Sequence, residues 1–303
     1  MAYRRKYGSS RVARRIKRSA NSYRRASSAK KRTYRTTRRI YRRPMTKKKV
    51  LNTTSRKKRD TMLAYSQTNG SAGGGASGPA QFSGATGNQV FLWLATGRDN
   101  TYNTSANGGT VFNDAVRTSS TCYMRGLKET IEIQTSTGVP WQWRRICFTL
   151  KGFSFTGSTI ETSNGWQRML YNINSGSATD QGTYNTVLGL LFKGQSGIDW
   201  NTPQIAQVDT SRVSLKYDRT FMVSSGNSSG VLRKYNLWMP MNKNLVYDDD
   251  EQGEQKAARI YSVDSRAGMG DYYVIDFFFP GIGATSSDAI SFNPAATLYW
   301  HEK

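Results

Sequence analysis

Guanidinium and ammonium groups recur through the first fifty residues at a spacing that suits one chemistry, the binding of phosphate. Arg4, Arg5 and Lys6 open the series, and Arg11, Arg14, Arg15, Lys17 and Arg18 follow. Arg24, Arg25, Lys30, Lys31, Arg32, Arg35, Arg38 and Arg39 continue it, and Arg42, Arg43, Lys47, Lys48 and Lys49 complete it. Such groups neutralise phosphates and release counterions, and Arg grips phosphate through two hydrogen bonds at once. Tyr3, Tyr7, Tyr23, Tyr34 and Tyr41 are interleaved, where their rings can stack on unpaired bases. These residues are therefore nucleic-acid-binding candidates that read phosphate, not base edges. A merely solvated tail is the plain alternative, but self-repulsion at this density is costly without a polyanion.

Two runs fit a second use. Arg42, Arg43, Lys47, Lys48 and Lys49, and then Arg56, Lys57, Lys58 and Arg59, have the composition of nuclear-import signals. A mitochondrial presequence is also Arg-rich and acid-poor, but here the charge persists to Arg59 without a broad apolar face.

Other chemistry has few candidates. His301 is the sole histidine, and Cys122 and Cys147 are the only cysteines. One His and two scattered Cys cannot assemble a zinc site within one chain, and a Ser-His-Asp triad has a single His to draw on. The glycines of 70–78 lack the Gly-Lys-Ser/Thr that completes a phosphate loop. A carboxylate-based glycosidase stays formally open. The expectation is a protein that is not an enzyme and carries no cofactor or metal. The sharpest acidic cluster, Asp248, Asp249, Asp250 and Glu251, reads as a solvated loop, as a contact to basic residues of a neighbouring subunit, or as a hard-cation site.

The elements that must carry these residues follow from where the charge lies. The chain has 303 residues and a net charge of +24. Residues 1–60 hold 25 Lys and Arg against one acid, Asp60, while residues 61–303 hold 19 of each sign. The excess thus sits in one arm, 1–60, on a neutral body, 61–303. The arm cannot bury enough apolar surface to offset the entropy of ordering it, so disorder is expected. Within it, RVARRIKR (11–18) predicts at most a marginal helix. Residues 70–78, GSAGGGASG, predict a flexible joint or exposed loop.

From residue 88 the texture changes to short β-branched and aromatic runs between Gly, Asn, Ser and Asp clusters. VFLWLAT (90–96), KETIEIQT (128–135), WQWRRICFTL (141–150) and TVLGLLF (186–192) predict strands, as do SRVSLKY (211–217) and RTFMVSS (219–225). VLRKYNLWM (231–239), YYVIDFFF (272–279) and ATLYW (296–300) complete the set. In KETIEIQT, Ile131 and Ile133 share one face, and Glu132 and Gln134 the other. Trp141, Trp143 and Trp238 are expected in a core or interface before a base-stacking platform. No long helix is expected, only one helical turn within 199–207. The body reads as an all-β sandwich or barrel. No run reaches eighteen apolar residues and no apolar leader core opens the chain, so neither membrane insertion nor secretion is expected. The two cysteines fit a reducing compartment.

Specific motifs add to this. CYMRGLKETIEIQT (122–135), WQWRRICF (141–148) and SRVSLKYDRT (211–220) resemble coat proteins of the genomoviruses, which have small circular single-stranded DNA genomes. VLRKYNLWMPMNKNLVYDDDEQG (231–253) and GMGDYYVIDFFFP (268–280) do the same, with LWMPMNKNLVYDDDE the most specific block. The likeness covers residues 120–280 in motif and is looser in the arm; more distantly, the chain is similar to the geminivirus coat protein. The resemblance implies an eight-stranded single jelly roll that self-assembles into an icosahedral shell of about sixty copies, with the arms inside on a single-stranded DNA genome. It further implies a virion protein that passes through the host nucleus by way of the import machinery, without a membrane partner. The residue-level reading leaves a rival, a cellular nucleic-acid-binding protein of ribosomal type with a basic extension. Such proteins usually spread positive charge over the folded body, which here is neutral.

Overall fold

Inward-facing apolar residues alternating with polar ones, or continuous apolar runs, build most of the long strands described. The computed structural model describes residues 45–67, 75–102, 108–155 and 157–303. The expectations of disorder in the early arm and of a helix over 11–18 lie outside the described residues, as does most of the Gly-rich 70–78 stretch. The described elements belong to a compact unit, Thr46–Lys303.

Eight strands carry the architecture. They are β1 (Arg56–Met62), β2 (Gln89–Leu94), β3 (Thr121–Thr135) and β4 (Trp141–Leu150). Then come β5 (Ser214–Val223), β6 (Leu232–Val246), β7 (Asp271–Pro280) and β8 (Ala289–Glu302). One sheet has the order β1-β8-β3-β6, and the other contains β5-β4-β7-β2. All these pairings are antiparallel. The first strand pairs with the eighth, the second with the seventh, the third with the sixth and the fourth with the fifth. This nesting is one long hairpin wrapped into two facing sheets: the fold is all-β, a single jelly roll. Short strands decorate it. Ala80–Ser83 pairs with β8, and Arg168–Asn172 extends the second sheet beyond β2.

The two sheets differ in how they are covered. β2 and β4 are buried almost throughout, and so is β7 up to Pro280. Their inner faces meet the first sheet, where Phe91, Trp143, Phe278 and Phe292 pack together. Their outer face lies under a helix, α2 (Ala178–Leu191), and the loop after it: Val187, Leu188, Leu191 and Phe192 join the core, and Phe192 meets Phe277 at 6.0 Å. The first sheet buries one face only. Along β1 and β8 every second residue is buried and its neighbours are open to solvent to differing degrees, as in a sheet with one wet face.

Three expectations change. TVLGLLF is not a strand but the end of α2 and its cap; Val187, Leu188 and Leu191 lie at helical spacing, and a short apolar run does not separate the two periods. Residues 199–207 form irregular turns and no helical turn. The first described elements lie inside the basic arm. The helix α1 (Lys47–Thr54) is opened by Thr46, whose hydroxyl accepts from Lys49 N at 3.3 Å. β1 then crosses the boundary that charge density sets at residue 60, because Lys58, Asp60 and Met62 point inward and are buried. Trp141 and Trp143 are core residues, as expected. Among the described residues no helix is long and apolar enough to cross a membrane.

Candidate nucleic-acid interface

Most of the nucleic-acid-binding candidates, Arg4 through Arg43, lie outside the described residues. Lys47, Lys48 and Lys49 occupy the first turn of α1, all exposed. Of the import candidates, Arg56, Lys57 and Arg59 are exposed on β1, but Lys58 is not. β1 alternates, so Lys58 points inward and forms an ion pair with Glu302 at 3.3 Å, with both side chains buried. It cannot serve an import receptor in the folded chain. No charge count distinguishes Lys57 from Lys58; only the strand period does.

The acidic cluster divides in the same way. Asp248, Asp250 and Glu251 are exposed. Asp249 is withdrawn from any subunit contact, because both its carboxylate oxygens accept from Arg117, at 2.6 and 2.9 Å. Burial alone would raise its pKa, but the Arg117 pair and the Arg259 N–H hold it below the ordinary carboxylate range. Arg117 also lies over Tyr247, 3.9 Å from the ring centre. Among the described residues no three His, Cys, Asp or Glu side chains gather as a metal-binding group.

The lone residues with chemical potential are placed quietly. Cys122 and Cys147 are buried free thiols. Burial pushes both pKa values up, that of Cys147 to about 12, so neither is a ready nucleophile. His301 stands on β8 between Lys57 of β1 and Tyr123 of β3. Partial burial, then Lys57 and Arg125, lower its pKa and favour the neutral ring.

His301 belongs to an organised surface, the open face of the first sheet. Three rungs cross all four strands: Lys57, His301, Tyr123 and Asn244; then Arg59, Tyr299, Gly126 and Pro240; then Thr61, Thr297, Lys128 and Trp238. The Tyr123 and His301 rings lie 5.9 Å apart, as do those of Trp238 and Tyr299. Trp238 is 47% exposed and Tyr123 37%. Gly126 makes this possible, since a Cβ there would come within 2.7 Å of both the Trp238 ring and the Met239 carbonyl. The indole therefore lies close against bare backbone, where the β3 register shifts against both neighbours. Sequence reading assigned Trp238 to a core or interface and did not single out this face. The signal that finds it is the alternation of YMR (123–125) and of RKKRD (56–60).

Buried charges behave oppositely. Glu129, Arg145, Arg168 and Asp276 are fully buried between the sheets and pair with one another at 2.5 to 3.0 Å. Arg168 lies 4.4 Å over the Trp93 ring, and Trp143 Nε1 donates to Asp276 at 2.8 Å. Burial opposes the Asp276 charge, yet Arg145 and Arg168 hold its pKa below the ordinary value.

No protein-family model matches the chain, and no curated protein matches it. Among solved structures, VP1 of the Trichodysplasia spinulosa-associated polyomavirus, in complex with sialylated precision glycooligomers, aligns over 82% of this chain and 79% of its own. The identity is 10% and the TM-score 0.09, too low to carry a structural argument. The fold assignment rests on the strand order.

Proposed function

We propose that this protein is a viral coat protein, of the kind the genomovirus-like motifs suggest, which assembles into an icosahedral shell and packages single-stranded DNA. The observation that carries the reading is a nearly charge-balanced jelly-roll body, with 23 Lys and Arg against 20 Asp and Glu from Arg56 onward, behind a segment that holds most of the chain's excess positive charge. The jelly roll is a fold that shell proteins use, and it also serves lectins and cupins, so the basic segment is what turns the reading toward a genome. The body supplies shell contacts and the segment neutralises phosphate. About sixty copies would bring on the order of 1,400 positive charges, enough for one to two thousand nucleotides. Assembly is then coupled to packaging, since the segments repel one another until a polyanion is present. The chain acts without catalysis, and its basic runs, less Lys58, serve import into the host nucleus before assembly.

Electron microscopy of full-length protein purified without nuclease tests this. Uniform closed particles containing DNA are expected, and they should loosen or release DNA as salt rises. Single subunits or small oligomers across salt and pH would overturn the shell reading and leave a cellular nucleic-acid-binding protein in its place. Particles indifferent to molar salt would separate shell cohesion from the DNA.

A further inference from the structure

We propose that the open face of the β1-β8-β3-β6 sheet is itself a binding site for single-stranded nucleic acid, in addition to the basic segment that leads into β1. The proposal rests on the shell-protein reading for its biological setting, but the face is argued from its own residues. Phosphates are held by Lys57, Arg59, Arg125 and Lys128, and unpaired bases stack on Tyr123 and Trp238.

Charge pairing makes the case. The buried basic residues Lys58, Arg98, Arg117, Arg144, Arg145 and Arg168 each have a carboxylate within 4.0 Å. Among the described residues, none of the four cations on the open face has one. Lys57 donates to the Asn52 carbonyl at 2.7 Å, and Arg125 to the neutral Asn242 side chain. No carboxylate occupies the three rungs. Along β3 the next outward acid, Glu132, stands two rungs beyond Lys128, opposite Lys234. At the β1 edge the exposed Asp114 lies beside Arg59 and accepts from Arg59 N through its backbone carbonyl at 3.2 Å, with no ion pair between the side chains. Among the described residues, the open face thus gathers cations without a carboxylate partner, Arg125 and Lys128 from the charge-balanced stretch after residue 60 and Lys57 and Arg59 from β1.

The aromatic residues set the class of polyanion. Half-exposed rings held between cations form a stacking platform, and a platform of this kind takes bases that are not already paired. A duplex would offer only its phosphates. Solvent-exposed Trp and Tyr would otherwise be a liability on a flat sheet.

The test uses the full-length chain with an iododeoxyuridine-substituted oligodeoxythymidylate as photocrosslinking probe. Crosslinks to the peptides bearing Tyr123 or Trp238 are expected, besides those in the basic segment. Crosslinks confined to residues 1–49 would overturn the proposal. Independently, R125Q combined with K128Q should lower the salt slope of oligodeoxythymidylate binding by about 1.4. Trp238→Leu should weaken that binding on the order of tenfold, with a duplex of equal length unaffected. Unchanged slope and affinity in correctly folded variants would overturn the proposal. So would a double variant that fails to assemble but binds DNA normally, since the face would then be a subunit contact. Microscopy of the same samples keeps the two readings apart. Closed particles with an unchanged slope sink only the face; a changed slope without particles sinks only the shell.

Discussion

Arg145 and Asp276 stand opposite each other on β4 and β7 and are joined by two hydrogen bonds, Nε to Oδ1 at 2.7 Å and Nη2 to Oδ2 at 2.8 Å. Neither side chain touches solvent. Arg145 also reaches across the core to Glu129 of the other sheet, which Arg168 meets from its far side at 3.0 Å. Two cations and two carboxylates thus form a neutral closed set that ties the sheets together. Such a set contributes little beyond an apolar core, but losing one member strands a buried charge.

Arg145→Met should therefore destabilise the folded protein by about 3–5 kcal/mol. Urea unfolding of the full-length chain measures this. A loss under about 1 kcal/mol would mean that the remaining charges find water or one another.

Glu302 makes the second closed set. Its carboxylate accepts from Thr118, from Trp300 Nε1 at 2.7 Å and from Lys58. Burial opposes its charge, but these donors keep its pKa below the ordinary value. A depressed carboxylate stabilises the fold above its unfolded pKa, and that contribution fades as pH falls through the folded value. Glu302→Gln should cost about 2–4 kcal/mol near neutrality, with the gap to the parent closing below about pH 4. Thermal melts at the two pH values check it; a gap that persists in acid would contradict the pairing.

Asp271 has the opposite sign. Burial raises its pKa to about 6, against the hydrogen bond from Ser262 N at 2.9 Å. Its contribution is full below the unfolded pKa near 3.8 and is lost as pH rises through about 6. Asp271→Asn keeps an acceptor for Ser262 and should stabilise the protein by up to about 3 kcal/mol at pH 8, and by little at pH 4. A destabilised variant at pH 8 would show that the charge is used.

At Gly126 the close approach of Trp238 leaves no room for a side chain. Gly126→Val should cost about 1–3 kcal/mol and lift the indole from the sheet. Tryptophan fluorescence quenching would register the displaced ring, and an unaltered spectrum would count against the packing described.

Much of the fold was legible in the sequence, element by element. WQWRRICFTL is β4 residue for residue, and YYVIDFFF lies within β7. Both are apolar runs bounded by turn residues, and strand propensity is local. The start of β1 was hidden, because RKKRD reads as more of the basic arm. Its strand character comes from pairing with β8, more than two hundred residues away. TVLGLLF failed for the reason that a seven-residue, mostly apolar run fits either period. The buried charges left a readable trace: Glu129 sits at an inward position of an alternating strand, and Asp276 interrupts an apolar run. Their partners could not be read, since Arg145 and Asp276 are 131 residues apart.

Composition and spacing by themselves determined that the excess charge is confined to one segment, that the body is built of strands, and that one histidine and two cysteines are too few for a Cys/His zinc site within one chain. These properties are sums or short-range periods, and they do not depend on which strand meets which. Tertiary structure alone decided what each charge does. Lys57 and Lys58 are neighbours of one type in the chain, yet one faces solvent and the other is buried against Glu302. The same applies to Asp249 within its acidic run, and to the cations and rings gathered on three rungs of the open sheet. A charge becomes a pair, a core member or a ligand site through neighbours that strand pairing brings from far along the chain, and that register exists only once the jelly roll has closed.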